Sequence, residues 1–187
     1  MIERMRMSPV MEYVASLRGE RSDEDSSHER PIVPDRQLLE LIQALLADRE
    51  WRFEMELQQM VFLADVEAYT SRGEPLAGAT FYPEIYGVHS SEVSEVLEAA
   101  AETRELQVKK GRLDNDVKPK YAIRGTIAVE PKILEVAQTV RDDTDGMGVF
   151  ELVDRVKEDP IYEQAVFGEP IDIASAMDEL SATQPSE

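Results

Sequence analysis

The apolar pattern is densest in residues 57–97, which predict a buried helix, a turn, an aromatic segment and a second helix. In the first half, apolar residues recur at helical spacing on two adjoining faces. One face holds Leu57, Met60, Val61, Ala64 and Ala68, and the other holds Phe62, Leu63, Val66 and Tyr69. A helix this apolar around its circumference is normally covered on more than one side. We expect it to be the centre of the domain and to end near Gly73, which suits the left-handed position after a helix.

Helical spacing of apolar residues also predicts helices on both sides of this centre. Asp35 is a candidate N-cap for an earlier helix, and Ser90 or Ser91 for a later one. The expected buried stripes are Leu38, Leu41, Ile42, Leu45 and Leu46; Val93, Val96, Leu97, Ala100 and Ala101; Ile133, Leu134, Ala137 and Val140; and Phe150, Val153 and Val156. A loop is expected from Arg141, a short helix from Pro160 and a last helix over residues 172–180.

The period changes to that of strands in residues 105–124. Val108, Tyr121 and Ile123 alternate with polar residues on either side of an Asp-Asn-Asp turn, which predicts a β-hairpin. Residues 75–83 are expected to be a loop or a short extended segment. The fold class is therefore mainly α (α+β): a single helical domain with one small β-hairpin, whose helix-then-hairpin order also fits a winged helix.

The chain divides into a domain of residues 35–180 and two tails, 1–34 and 181–187. Residues 18–31 are nearly devoid of apolar side chains, so the first tail is expected to be disordered or partly helical. If its start is helical, Val10, Tyr13, Val14 and Leu17 share one face, which leaves open a partner-binding arm as well as a frayed terminus. Met5, Met7 and Met11 are alternative start positions.

Composition narrows the function classes. The chain has no run of eighteen apolar residues and its N-terminus alternates charge with methionine, so we expect a cytoplasmic protein with no membrane partner. The absence of cysteine excludes disulfides, thiolate metal sites and cysteine nucleophiles. There is no phosphate-binding loop, zinc-protease or dinucleotide motif, and His89 beside two serines is not by itself a catalytic arrangement. We therefore expect no enzyme and no cofactor.

The net charge is −19, from 20 Lys plus Arg against 39 Asp plus Glu. Only six of the basic residues are lysines. A functional acidic surface is one interpretation. The acids are spread over nearly every predicted helix, which favours adaptation to a high-salt (halophilic) cytoplasm, where the Debye length is about 3 Å at 1 M.

The predicted hairpin is the one basic region. Residues 104–124 carry seven basic and three acidic side chains, a net +4, and four of the six lysines. Candidate nucleic-acid contacts are Lys109, Lys110, Arg112, Lys118 and Lys120, which could touch phosphates as the wing of a winged helix does. An acidic protein partner is a further interpretation. So is a structural one, in which lysines protect a sheet edge from aggregation.

Several short motifs of the central stretch resemble the Panacea domain family, the group of SocA-like antitoxins and proteolytic adaptors. They are the helix with Leu57, Met60, Val61, Phe62 and Ala64; the turn Gly73, Glu74, Pro75 and Leu76; the aromatic segment Phe81, Tyr82, Tyr86, Gly87 and Val88; and the helix start Ser91, Glu92 and Val93. Leu152, Val153 and residues 158–162 are similar to its C-terminal region. The chain departs from the family pattern at Gln59, where the family has lysine, at Val88, where it has proline, and near Lys157, where it has histidine.

The resemblance covers about residues 36–173 and implies a mostly helical domain without a cofactor. It implies action by direct binding, either neutralising a toxin or presenting a client to a protease. The candidate protein-binding residues are Phe81, Tyr82, Tyr86, Gly87 and His89, since exposed aromatics dominate interface energetics. Packing of these aromatics onto the central helix is the structural alternative. The alternative function is a winged-helix-like DNA-binding transcriptional regulator that uses the basic hairpin.

Overall fold

The computed structural model describes residues 35–47, 50–125 and 128–183. The expected tail of residues 1–34 and residues 184–187 lie outside the described part. Asp35 caps helix α1 (Arg36–Leu45) as predicted, because its carboxylate accepts hydrogen bonds from the backbone N–H groups of Gln37 (2.9 Å) and Leu38 (3.0 Å). The predicted stripe of α1 is buried, so the pattern is confirmed there.

Helix α2 (Glu54–Arg72) is the predicted central helix. It ends at Gly73, whose φ of 78° is left-handed, as expected from the glycine. The other helices are α3 (Ser91–Glu102), α4 (Pro131–Asp143), α5 (Val149–Lys157), α6 (Pro160–Glu163) and α7 (Ile173–Thr183). Helix α2 contacts α1, α3, α4, α5 and α7, which explains why so much of its circumference is apolar.

A three-stranded antiparallel sheet lies beside the helices. Its strands are β1 (Arg52–Phe53), β4 (Leu106–Leu113) and β5 (Asp116–Ile123), in the order β1-β5-β4. The predicted hairpin is β4–β5, with Leu113 opposite Asp116 and Leu106 opposite Ile123. The elements α1, β1, α2, α3, β4 and β5 follow one another in the order of a winged helix, and the sheet has the strand order of that fold. The mainly α (α+β) fold class is confirmed.

A second hairpin is inserted between α2 and α3. Strands β2 (Tyr82–Glu84) and β3 (Gly87–His89) pair around a two-residue turn, Ile85-Tyr86. The prediction of one hairpin was incomplete, because it missed this hairpin and strand β1. Strands of two or three residues are too short to show an alternating pattern, so their pairing becomes visible only in three dimensions.

Four helix details differ from the predictions. In α4 the buried stripe uses Val136, while Leu134 is 46% exposed, and in α5 it uses Val149, while Phe150 is 42% exposed. Both stripes keep the spacing i, i+3, i+4, i+7, and the neighbouring apolar residue points away from the core. Helix α4 continues to Asp143, although a loop was expected from Arg141, and α7 continues to Thr183, beyond the predicted end at Leu180. In α4 the extra residues are polar and carry no apolar spacing that would have extended the prediction.

Candidate functional site

The segment between α2 and α3 is held by buried polar side chains of α2. Asp65 is fully buried, and its carboxylate accepts hydrogen bonds from the backbone N–H groups of Leu76 (2.8 Å), Ala77 (2.6 Å) and Gly78 (3.1 Å). Burial raises the pKa of Asp65 to about 6, although these N–H groups stabilise the charged form. Asp65 therefore fixes the loop that leads into the inserted hairpin.

Two consecutive glutamines of α2 fix the other end of this segment. The Gln59 amide accepts from the N–H of Val88 (2.9 Å) and donates to the carbonyl of Val88 (3.0 Å). The Gln58 amide makes the same two contacts with Ser90, at 2.9 and 3.0 Å. Each side-chain amide thus makes the pair of hydrogen bonds that a residue of a neighbouring strand would make. The outer edge of β3 is closed by these amides and docked onto the central helix.

Gly87 has a structural role at this contact. Its φ is +87°, and a Cβ added there would lie 2.1 Å from the Gln59 side-chain oxygen. Only glycine fits both the left-handed backbone and the close approach of the amide. Gly87 is buried, so this candidate binding residue shapes the hairpin from inside.

The turn of the inserted hairpin is exposed and apolar. Ile85 is 71% exposed and Tyr86 is 56% exposed. Its backbone is held from the C-terminal helices, since the Lys157 ammonium donates to the carbonyl of Ile85 (2.6 Å) and the Tyr162 hydroxyl to that of Glu84 (3.0 Å). We call Ile85 and Tyr86 the hairpin tip. Two apolar side chains are presented to solvent on a backbone that is anchored at Glu84 and Ile85.

The aromatic residues predicted to form one exposed group separate in the structure. Phe81 is fully buried and packs edge-to-face on Phe62, with ring centroids 5.4 Å apart, so the prediction that Phe81 is an exposed anchor is wrong. Tyr82 is 39% exposed on β2, opposite the partly buried His89 on β3. Tyr86 is the aromatic side chain that the fold leaves most available of the three.

A cleft of about 260 Å³ lies between the inserted hairpin, the β4–β5 hairpin and the start of α2. Tyr86 and His89 line one side, and Lys118 lines the other. Glu54 and Glu84 bring two carboxylates to the same cleft. Two of the candidate protein-binding residues, Tyr86 and His89, therefore meet one of the candidate nucleic-acid contacts, Lys118, in this cleft, which the sequence did not indicate.

The five basic candidates divide between the two faces of the β4–β5 hairpin, because neighbouring residues of a strand point to opposite faces. Lys109, Lys118 and Lys120 share one face, where each has a partner. The Lys109 ammonium lies 4.0 Å from the centre of the Trp51 ring, that of Lys120 lies 4.3 Å from the Phe53 ring, and Lys118 pairs with Asp116 at 3.6 Å. Lys110 and Arg112 are exposed on the opposite face.

By the order of elements, α3 corresponds to the third helix of a winged helix, the helix that enters the DNA major groove in that fold. Its exposed face carries Glu95, Glu98 and Glu102. Carboxylates on that face repel the phosphates on either side of the groove. The arrangement is unfavourable for DNA contact through this helix.

The residues that position the site were not predicted from the sequence. Gln58 and Asp65 lie in a stretch that was interpreted from its apolar residues, and Gln59 was noted only as a departure from the Panacea pattern. Polar residues inside a helix expected to be buried all round need internal hydrogen-bond partners, which is the signal that could have pointed to them. Ile85 was missed because a single apolar residue in a loop carries no pattern.

Within the described residues, no group of three or more His, Asp or Glu side chains is arranged to hold a metal ion. None of the helices in residues 35–47, 50–125 and 128–183 combines the length and the apolarity needed to cross a bilayer.

Comparisons with protein families, with curated proteins and with solved structures found no match to this chain.

Proposed function

We propose that this chain is a non-enzymatic protein-binding module, resembling a Panacea-type antitoxin or proteolytic adaptor. It neutralises a toxin or presents a client by direct binding in the cytoplasm. The observation that supports this most is the hairpin tip, where Ile85 and Tyr86 are exposed on a backbone held by Lys157 and Tyr162.

The energetic argument rests on preorganisation. A partner that covers the hairpin tip gains the burial of two large apolar side chains, and a tyrosine anchor is worth about 2 kcal/mol or more when it becomes fully enclosed. Because the backbone of the tip is already anchored, little conformational entropy is lost on binding. The adjoining cleft offers His89, Lys118 and two carboxylates for polar contacts around this apolar centre.

The test uses the product of the neighbouring gene as the candidate toxin. Expression of that gene alone should arrest growth, and co-expression of this chain should restore it. The double variant Ile85→Ser/Tyr86→Ser should lose the rescue while keeping its circular dichroism spectrum. A matched control is Val166→Ser/Phe167→Ser, since these residues are 57% and 67% exposed and lie between α6 and α7.

Two results would contradict the proposal. If the neighbouring gene is not toxic, or if this chain does not relieve the toxicity, the antitoxin function is wrong. If both double variants lose the rescue, or neither does, binding does not depend on the hairpin tip. Co-purification of the two proteins at equal stoichiometry, lost only in the tip variant, is the corresponding biochemical result.

The DNA-binding alternative is less well supported. The winged-helix order of elements favours it, as do the exposed Lys110 and Arg112. Against it stand the acidic face of α3 and the division of the five basic candidates over two faces of the hairpin. A wing that offers only two cations on one face neutralises few phosphates.

A further inference from the structure

Strand β4 forms the outer edge of the three-stranded sheet. It is eight residues long, Leu106–Leu113, and within the described residues no backbone group other than those of β5 pairs with it. Open strand edges are templates for the addition of another strand, and proteins normally close or interrupt them. The eight-residue edge of β4 is continuous and contains no proline.

The other sheet edges of the described chain are closed or short. The edge of β3 is capped by the Gln58 and Gln59 amides. Strand β2 contains Pro83 at its centre, which has no N–H to offer. Strand β1 has only two residues. The edge of β4 is therefore the one place where a long strand can be added.

The position of Pro119 shows which backbone groups of β4 are available. Pro119 lies opposite Lys110 and cannot donate to it, so the hydrogen-bonded pairs with β5 are those of the alternate residues Gln107, Lys109, Gly111 and Leu113. The N–H and C=O groups of the residues between them point away from β5. These outward residues are Val108, Lys110 and Arg112.

The side chains of the outward residues define the chemistry of the added strand. Val108 is 52% exposed, and Lys110 and Arg112 are exposed and form no salt bridge with a described residue. All three lie on the same face of the sheet, because they are two residues apart. Strand β4 carries three basic residues and no acidic one, within a chain of net charge −19.

We propose that the edge of β4 binds an acidic, extended segment of a protein partner by antiparallel strand addition. Because the added strand is antiparallel to β4, its acidic residues i and i+2 lie opposite Arg112 and Lys110, and its apolar residue i+4 lies opposite Val108. A second copy of this chain fits less well, since two β4 edges would bring the same cations together. This surface lies outside the hairpin tip and does not depend on the function proposed for it.

The probe is the N-terminally labelled heptapeptide Thr-Glu-Thr-Glu-Thr-Val-Thr with an amidated C-terminus, titrated into the full chain by fluorescence anisotropy. We expect binding that weakens with salt, and weaker binding of the same peptide written in reverse order. The variant Lys110→Glu/Arg112→Glu should bind at least about tenfold more weakly. The control Lys132→Glu/Arg36→Glu changes net charge equally, on α4 and α1, and should bind within about twofold of the unaltered chain.

Amide exchange measured by NMR separates strand addition from simple charge attraction. The peptide should slow exchange at the N–H groups of Val108, Lys110 and Arg112, while those of Lys109 and Gly111, already bonded to β5, serve as internal references. Absence of binding, or binding without this alternate protection, overturns the proposal. The Ile85→Ser/Tyr86→Ser variant should still bind the peptide, so failure here and failure of the hairpin tip are distinguishable.

Two other occupants of the edge would also overturn the proposal. Protection of the three amides that grows with protein concentration, without peptide, would assign the edge to a second copy of the chain. Protection in the free chain that disappears in Asp23→Asn/Glu24→Gln/Asp25→Asn would assign it to the chain's own acidic run in residues 22–27.

Discussion

At the scale of single residues, the inserted hairpin depends on three polar side chains of α2 and one glycine. Asp65, Gln58 and Gln59 are buried side chains of α2, and each is hydrogen-bonded to backbone groups within residues 76–90. A buried polar group without a partner costs about 1–3 kcal/mol, so these contacts specify where the segment lies rather than adding much net stability. Residue identity here determines the position of the candidate site.

The contact between Gly87 and Gln59 predicts an unusually costly glycine substitution. Gly87→Ala should lower the free energy of unfolding by about 3–5 kcal/mol, because it strains the backbone and also displaces the amide that pairs with Val88. The control is Gly146→Ala, which has a similar φ of +74° but open space around its Cβ. It should cost only about 1–2 kcal/mol. Urea unfolding measures both, and equal losses would contradict the clash.

The raised pKa of Asp65 predicts a pH-dependent contribution to stability. With a pKa of about 6 in the folded chain against 3.8 otherwise, the folded state binds the proton more tightly. This contribution is therefore complete below about pH 4 and is lost as the pH rises through about 6. Between about pH 7.5 and about pH 5 the folded state should gain about 1 kcal/mol from this group.

The variant Asp65→Asn isolates this effect, because the other carboxyl groups titrate equally in both proteins. The difference in unfolding free energy between the unaltered chain and Asp65→Asn should shift by about 1 kcal/mol in favour of the unaltered chain on going from about pH 7.5 to about pH 5. Urea unfolding at several pH values measures it. A difference that stays constant with pH would show that Asp65 titrates normally.

At the scale of elements, long periodic helices were predictable and short strands were not. The stripe of α1 and the apolar circumference of α2 appear in the sequence because ten or more residues repeat the same spacing. Strand β1 is defined by its pairing with β5, and β3 by its hydrogen bonds to Gln59 as well as by its pairing with β2. These strands exist because of contacts with residues far away in the chain, which no local pattern contains.

The distribution of charged side chains on α3 and on the β4–β5 hairpin predicts a weak and nonspecific interaction with DNA. Only Lys110 and Arg112 lie exposed without an ion pair on one face of the β4–β5 hairpin, and α3 exposes glutamates. We expect a titration with duplex DNA to show a slope of log affinity against log salt of about −2 or shallower. A slope of about −5 that disappears when Lys109, Lys110, Arg112, Lys118 and Lys120 are all replaced by glutamine would support the DNA-binding regulator instead.

At the scale of the whole molecule, the charge of −19 opposes folding in dilute salt. Because the acids lie on the surfaces of most helices, their repulsion should be relieved as the Debye length falls from about 10 Å at 0.1 M to about 3 Å at 1 M. A chain adapted to a high-salt cytoplasm should therefore be more stable at high salt than at low salt.

Thermal unfolding followed by circular dichroism should therefore show a rise in Tm of about 5 °C or more between about 0.1 and 1 M KCl. Most of the rise should occur below about 0.5 M, where screening changes fastest. A Tm that does not change would contradict the high-salt interpretation. A rise that continues unchanged above about 1 M would indicate exclusion of salt from the surface rather than screening.

The sequence by itself determined the mainly α class, the central helix, the β4–β5 hairpin and the excess of acidic surface. These properties follow from local spacing and composition, which a single chain displays directly. Only the tertiary structure decided that Phe81 is core, that Gln58 and Gln59 close one strand edge, and that Ile85 and Tyr86 protrude. It also decided that β4 keeps an open edge. Burial and hydrogen-bond partners depend on contacts between residues that are distant in the sequence, and only the fold brings those residues together.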